Sequence, residues 1–203
     1  MAKHGHINHD GRPKPRDPIP GELDRWPHPA CLDEPEFLAH CEAIAGRAGG
    51  PGGQNRNKVS THITLTFRPT GHAAQAGERR SQQENRAIAA KRLRIILAVE
   101  HRVSVPKGRG LAILDLPAGS PLWRSRVHHR RIICNTDHWD FPAVLAEAMD
   151  VLADMGWDPR RAALMLDVTA SQIIKLLAQQ PEALAKLNDE RQQRGQHALK
   201  IER

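Results

Sequence analysis

The most chemically suggestive stretch of this chain is Gly49-Gly50-Pro51-Gly52-Gly53-Gln54. A run so poor in side chains leaves φ almost unrestricted and lets another molecule approach the main chain directly. It fits neither common phosphate-binding signature. A GxGxxG register is broken by Gln54 and Asn55, and a Walker A loop needs Gly-Lys-Ser/Thr where this chain has Asn57-Lys58-Val59. Cys31, Cys41 and Cys134 are odd in number and scattered, so they build neither a disulfide framework nor a CxxC zinc site and read as reduced thiols. His4, His6 and His9 lie in a proline-rich terminus without fixed geometry and read as solvated side chains, so no metal and no cofactor is expected.

The elements that must position the glycine loop follow from local pattern. After it, Val59 to Phe67 alternates strictly, with Val59, Thr61, Ile63, Leu65 and Phe67 on one face, which predicts a half-buried strand. Pro69-Thr70-Gly71 supplies a turn, and His72 to Ala76 can return as the second strand of a hairpin. Ser81-Gln82-Gln83-Glu84 is a capping box that opens a long helix running to about Val103. Its apolar arc (Ile88, Ala89, Leu93, Ile95, Ile96, Leu97, Val99) should pack on the hairpin, leaving Glu84, Lys91, Arg94 and Arg102 together on an outward, largely positive face. Before the loop, Phe37, Leu38, Cys41 and Ile44 fit one face of a helix beginning near Glu34, or a strand; the local pattern allows both.

Charge and composition divide the rest. The 203 residues suffice for one ordinary domain or two small ones, with no apolar run long enough for a membrane span and no apolar signal-peptide stretch, so a soluble cytoplasmic protein is expected. Net charge is −3 over residues 1–45, +13 over 46–131 and −3 over 132–203. So much positive charge in one segment calls for a polyanionic partner, and nucleic acid is the commonest. Residues 1–33 read as a Pro-rich flexible tail, 34–103 as the domain bearing the loop, 104–135 as a basic linker rich in Pro, Gly and Arg, and 136–203 as a helical C-terminal domain. In the linker, Trp123 with Arg124, Arg126, Arg130, Arg131, His128 and His129 offers stacking plus phosphate contacts; a disordered basic connector is an equal reading. In the C-terminal part, Pro142, Gly156, Pro159, Thr169 and Pro181 punctuate four helices. The pair around Asp167-Val168 resembles a helix-turn-helix, but Thr169 to Gln179 carries only Lys175, so packing or protein contact is preferred there.

The segment from Arg47 through Gly49-Gly50-Pro51-Gly52-Gly53-Gln54-Asn55-Arg56-Asn57-Lys58 to Val59 resembles the signature of the catalytic domain of class I peptide chain release factors. The resemblance continues through Pro69-Thr70-Gly71 to Arg79-Arg80-Ser81-Gln82-Gln83-Glu84-Asn85-Arg86, and it spans roughly residues 36–103. It implies an α+β fold class: a small GGQ-type domain with antiparallel strands on one long helix, followed here by a small all-α segment. It also implies that Gly52, Gly53 and Gln54 enter the peptidyl transferase centre and promote hydrolysis of the ester joining nascent peptide to transfer RNA. The loop has no nucleophile or titratable base, and water attacking an ester needs a donor aimed at developing negative charge; the Gln54 main-chain N–H is that donor in this scheme. Arg47, Arg56, Lys58, Arg79, Arg80 and Arg86 bracket the loop and would meet ribosomal RNA backbone.

Partners so implied are large-subunit ribosomal RNA, peptidyl-tRNA and a methyltransferase acting on Gln54, with no membrane. Two departures shape the expectation. Few residues precede the glycines, so stop-codon reading is not expected; and the C-terminus is mixed in charge, unlike the basic tail of the family's short rescue hydrolases. Codon-independent termination or rescue is therefore the expected activity. A non-catalytic ribosome- or RNA-binding protein is the alternative, and a helix-turn-helix DNA regulator a distant third.

Overall fold

The computed structural model describes residues 27–46, 61–105 and 119–199; the glycine loop and residues 106–118 lie outside the described residues. Asp33 starts helix α1 (Glu34–Ala39): its side chain accepts from the Glu36 N–H at 2.8 Å, and Pro35 occupies the first turn, where its missing N–H is not needed. Strand β1 (Cys41–Gly46) follows at once, so the stretch that suited helix or strand is one after the other. Ile44 accordingly lies exposed on β1 rather than on a helical face. Strand β2 (His62–Phe67) pairs antiparallel with β1 and with β3 (Ala73–Ala76), giving the order β1-β2-β3. Alternation holds through β2: Ile63, Leu65 and Phe67 are buried and the residues between them are not. Arg68 ties the end of α1 to the sheet by donating from Nη2 to the Ala39 carbonyl at 2.6 Å and from Nε to His40 at 3.3 Å.

Helix α2 (Gln82–Glu100) is capped by Ser81, whose Oγ accepts from the Glu84 N–H. It separates two cores. On one side Ala89, Ala90, Leu93 and Leu97 close over Phe37, Ile63, Leu65, Phe67, Ala74 and Ala76, with Phe37 and Phe67 stacked at 5.6 Å between centroids. Near its C-terminal end Ala98 and Val99 join the helical part of the chain.

That part is built from helix α3 (Pro121–Arg126), the short strands β4 (Val127–His128) and β5 (Arg131–Ile132), and helices α4 (Phe141–Asp154), α5 (Pro159–Met165), α6 (Ala170–Ala178) and α7 (Pro181–Gln193). Each helix has Pro in its first turn or a side-chain cap: Ser120 for α3, Asp158 for α5, Thr169 for α6. Gly156 and Gly195 follow α4 and α7 with φ of 69° and 70°, the left-handed stop that glycine adopts without strain. Residues Phe141 to Leu152 are buried all round, so α4 is the central post of this half.

Two sequence expectations are corrected here. Arg94 is not on an outward face: it is 5% exposed, with its guanidinium 4.6 Å above the Phe37 ring and 5.5 Å from Trp139, and its Nη1 donating to the Ala30 carbonyl. Arg102 likewise turns inward to Asp150, which is fully buried. Both lie on α2 where it meets other elements, which a helical wheel of α2 alone does not contain. Trp123 is no stacking platform either; it is fully buried, and its indole N–H donates to the Leu166 carbonyl at 2.9 Å.

A row of acids on α4 joins the halves. Asp150 accepts from Arg102 and from the Val103 N–H, Asp154 from the Val105 N–H, and Glu147 from the N–H and hydroxyl of Ser120. Spaced three and four residues apart, they share one helix face and hold the chain on both sides of residues 106–118. Burial drives the Asp150 carboxyl up to about 7, against the pull of Arg102 and the Val103 N–H, and raises Glu147 against its bonds from Ser120. At the N-terminal side Pro29–Cys31 form one turn of 3-10 helix seated on α2 and α4, with His28 and Ala30 fully buried. The His28 Nδ1 accepts from the Ala30 N–H and its Nε2 donates to the His101 carbonyl. Burial first, then the charge of Arg102, lowers His28 to about 3, so it is neutral.

Candidate functional site

Gly46 and His62 are directly paired across β1 and β2, so the glycine loop leaves and re-enters the sheet at the same end. Ile63 pairs with Ala76, which brings the β3 exit and the turn into α2 to that same end. The roots of the loop and the start of the long helix therefore meet, although they are distant in sequence.

Asn85 is the joint. Fully buried in the first turns of α2, it donates from Nδ2 to the Thr61 carbonyl at 2.6 Å and to the Arg79 carbonyl at 2.8 Å, and its Oδ1 accepts from the Arg79 N–H at 2.9 Å. One amide thereby fixes the residue at which the loop rejoins β2 and the residue that opens the basic turn. A side chain with both donor and acceptor at its tip is needed, which Asn supplies and Asp or Leu does not. Gly77 is the second constraint. A Cβ there would lie 2.7 Å from Cδ2 of His62, so the absence of a side chain at 77 leaves room for the ring at the start of β2. The turn is braced from behind: Glu78 pairs with Arg92, Arg92 donates to the Gln75 carbonyl, and the Glu78 carboxylate accepts from the Gly77 N–H. The Arg92 hydrogen bond holds the Glu78 carboxyl below its ordinary range.

On this frame Arg79, Arg80 and Arg86 are all exposed, with no acidic partner among the described residues. Arg79 is placed against the loop exit through Asn85, Arg80 is its neighbour, and Arg86 follows Asn85 on α2. Gly52, Gly53, Gln54, Arg47, Arg56 and Lys58 lie outside the described residues. The arrangement thus presents guanidinium groups with no acidic partner among the described residues beside the mouth of a side-chain-poor loop, a combination suited to phosphate backbone. Neither Asn85 nor Gly77 stands out as a site residue in the sequence. The available signal was Asn within a helix it does not favour, directly after a complete capping box.

The thiols offer no competing chemistry. Burial pushes Cys31 up to about 12 and Cys41 to about 11, and raises Cys134, so none is a thiolate at neutral pH. No group of three or more metal-ligating side chains occurs among the described residues.

The described frame is thus a three-stranded antiparallel sheet whose loop-bearing end lies beside the cationic start of a long helix. The chain matches the RF-1 domain family over residues 39–109. It is 44% identical over 71 residues to a chloroplastic peptide chain release factor of Arabidopsis thaliana, covering 33% of this chain and 16% of that one. Over 63 residues it is 43% identical to peptide chain release factor 1 of Acidiphilium cryptum, covering 31% and 18%. A mitochondrial release factor-like protein of Saccharomyces cerevisiae is 37% identical over 68 residues, 33% of this chain and 44% of that protein. The match thus spans less than a fifth of the two release factors and under half of the yeast protein. No helix among the described residues is long and apolar enough to cross a membrane.

Proposed function

We propose that this protein hydrolyses the peptidyl-tRNA ester on the ribosome, independently of the codon in the decoding site, with Gly52-Gly53-Gln54 delivered into the peptidyl transferase centre. The observation that carries the reading is the joint at Asn85. Within the matched RF-1 segment it fixes the exit of the glycine loop to the turn bearing Arg79 and Arg80.

In this reading the sheet and α2 form a rigid base. Arg79, Arg80 and Arg86, with Arg47, Arg56 and Lys58 from the loop, neutralise ribosomal RNA phosphates and so fix where the loop points. The Gln54 main-chain N–H then donates to the oxyanion of the transition state and to the leaving 3′-oxygen. The Gln54 side chain narrows the cavity so that water enters in preference to larger nucleophiles. The protein contributes positioning and one preorganised donor, while the RNA cavity supplies the rest, so no activity is expected away from the ribosome.

Peptide release should be measured on ribosomes carrying peptidyl-tRNA with no codon, a stop codon or a sense codon in the decoding site. Release with the site empty, and no stimulation by a stop codon, is expected. Release only with a stop codon would overturn the codon-independent part, and binding without release under all three conditions would favour a non-catalytic ribosome-binding role. The DNA-regulator reading loses support from α6. Its Ile173, Leu176 and Leu177 are buried, Gln172 accepts from the Ile132 N–H, and Gln179 donates to the Cys134 carbonyl, so much of the helix is already in use.

A further inference from the structure

The helical half carries its own cationic projection. Strands β4 and β5 are joined by His129 and Arg130, both in the left-handed region with φ of 49° and 60°. Tight hairpin turns of this kind favour Asn-Gly, because side chains with a full Cβ are strained there. His-Arg is a poor choice for the turn itself, and strain of this sort concentrates where side-chain identity serves another purpose.

The hairpin is held on all sides. Arg126 at its base pairs with Asp140, the Ile133 N–H donates to the Arg126 carbonyl at 2.8 Å, and the Ile132 N–H donates to Gln172 of α6 at 3.1 Å. Arg130 donates to the Val168 carbonyl at 3.1 Å and lies 3.6 Å from Asp167, itself in the left-handed region in the turn between α5 and α6. Below, Trp123 is fully buried. His128, His129, Arg130 and Arg131 are nevertheless all exposed, and His128 pairs directly with Arg131, so their side chains leave the same face. Arg124 and Arg131 have no acidic partner among the described residues, and no acid occurs in the sequence between Ser120 and Asn135.

We propose that this hairpin, with Arg124 on the helix leading into it, is a second RNA-backbone contact that anchors the helical half of the protein to ribosomal RNA. Guanidinium groups on a fixed turn bind phosphate with little ordering cost, and two adjacent imidazoles add hydrogen bonds or base stacking. Residues 121–132, α3 together with the hairpin, carry four arginines and no acid, whereas residues 132–203 are net negative. The inference rests on the reading of the chain as ribosome-directed, but its test does not depend on release activity.

The test uses full-length protein and two double variants. Arg124→Gln with Arg131→Gln removes exposed charge from side chains that make no hydrogen bond or ion pair among the described residues. His129→Asn with Arg130→Gly installs the low-strain turn. Binding to purified ribosomes and to a fluorescein-labelled RNA stem-loop is followed against salt, with polyglutamate as the acidic-protein probe. The first variant should bind both RNA targets roughly tenfold more weakly, with a log–log salt slope shallower by roughly 1.5 units, at unchanged Tm. The second loses the Arg130 contacts to Val168 and Asp167 along with the strain, so it should stay folded with Tm within about 5 °C of wild type while also weakening RNA binding. RNA affinity and salt slope unchanged in both variants would overturn the proposal, as would wild-type binding to polyglutamate tighter than to RNA and lost in the same variants. Gly53→Ala, assayed in parallel, separates the two readings. Intact release by that variant sinks the catalytic reading and leaves the RNA result standing, whereas lost release with hairpin variants binding as wild type sinks the hairpin alone.

Discussion

Replacing Asn85 by Ala should loosen the glycine loop at its root while leaving the cations in place. The side chain makes three hydrogen bonds to main-chain groups at 2.6, 2.8 and 2.9 Å, one to the loop exit at Thr61 and two to Arg79. Each such bond contributes about 0.5–1.5 kcal/mol net. Because Arg79 is exposed, water can replace part of what is lost there, so the summed cost is set at about 2–3 kcal/mol. For a chain of this length that corresponds to a Tm lower by about 5–10 °C. The larger effect should be on rate. A displacement of about 1 Å at a positioned donor costs up to roughly a hundredfold, so peptide release by Asn85→Ala should fall roughly 10- to 100-fold in kcat. Ribosome binding, set mainly by phosphate contacts, should fall by less than about threefold. Asn85→Asp should be no better, because a carboxylate faces the Thr61 and Arg79 carbonyls with no donor. The assays are thermal unfolding and single-turnover release at saturating protein. Release within twofold of wild type, alongside the expected loss of Tm, would refute the view that this joint positions the loop.

Further outcomes follow from other contacts. Gly119 has a φ of 73°, and a Cβ there would meet the Trp123 ring at 2.5 Å, so Gly119→Ala should destabilise by about 3 kcal/mol, read by urea unfolding, by adding backbone strain to a clash with a buried ring. Neutral, buried His28 has a folded pKa of about 3, below its unfolded value of 6.5. Its stabilisation is therefore complete above 6.5 and is lost as pH falls towards 3. About 2 kcal/mol should be gone at pH 5, and His28→Gln should lack that acid limb in urea titrations. Asp150 runs the other way: raised to about 7, it favours the fold at low pH and its contribution fades as pH rises through 7. Asp150→Asn should flatten that limb of the stability profile. Removing Arg79 and Arg80 together as Gln should make the salt slope of ribosome binding shallower by roughly 1.5 units, measured by sedimentation.

Much of this architecture is legible in local sequence because short-range rules set it. Ser81 with Glu84, Thr169 with Gln172, Asp158 with Pro159, and Gly156 all act within a few residues, and the helix ends fall where those rules put them. The alternation of Ile63, Leu65 and Phe67 set the strand face in the same way. What was hidden depends on partners far along the chain. Arg102 turns inward because Asp150 awaits it on α4, and Trp123 is buried because the Leu166 carbonyl accepts its N–H. Arg94 sits between Phe37 and Trp139, from either side of α2 in sequence. At the site, the cations Arg79, Arg80 and Arg86 were visible as sequence, but their link to the loop through Asn85 appears only once β2, β3 and α2 share one end.

In the proposed function a main-chain donor exposed by Gly52 and Gly53 promotes ester hydrolysis on the ribosome. It is tested most directly by single-turnover peptide release from ribosomes with an empty decoding site, comparing wild type with Gly53→Ala at saturating, equally bound protein. Wild type should release peptide, and the variant, whose added Cβ disturbs the donor geometry, should lose at least roughly a hundredfold. Equal release by the two proteins, or none by wild type, would contradict it.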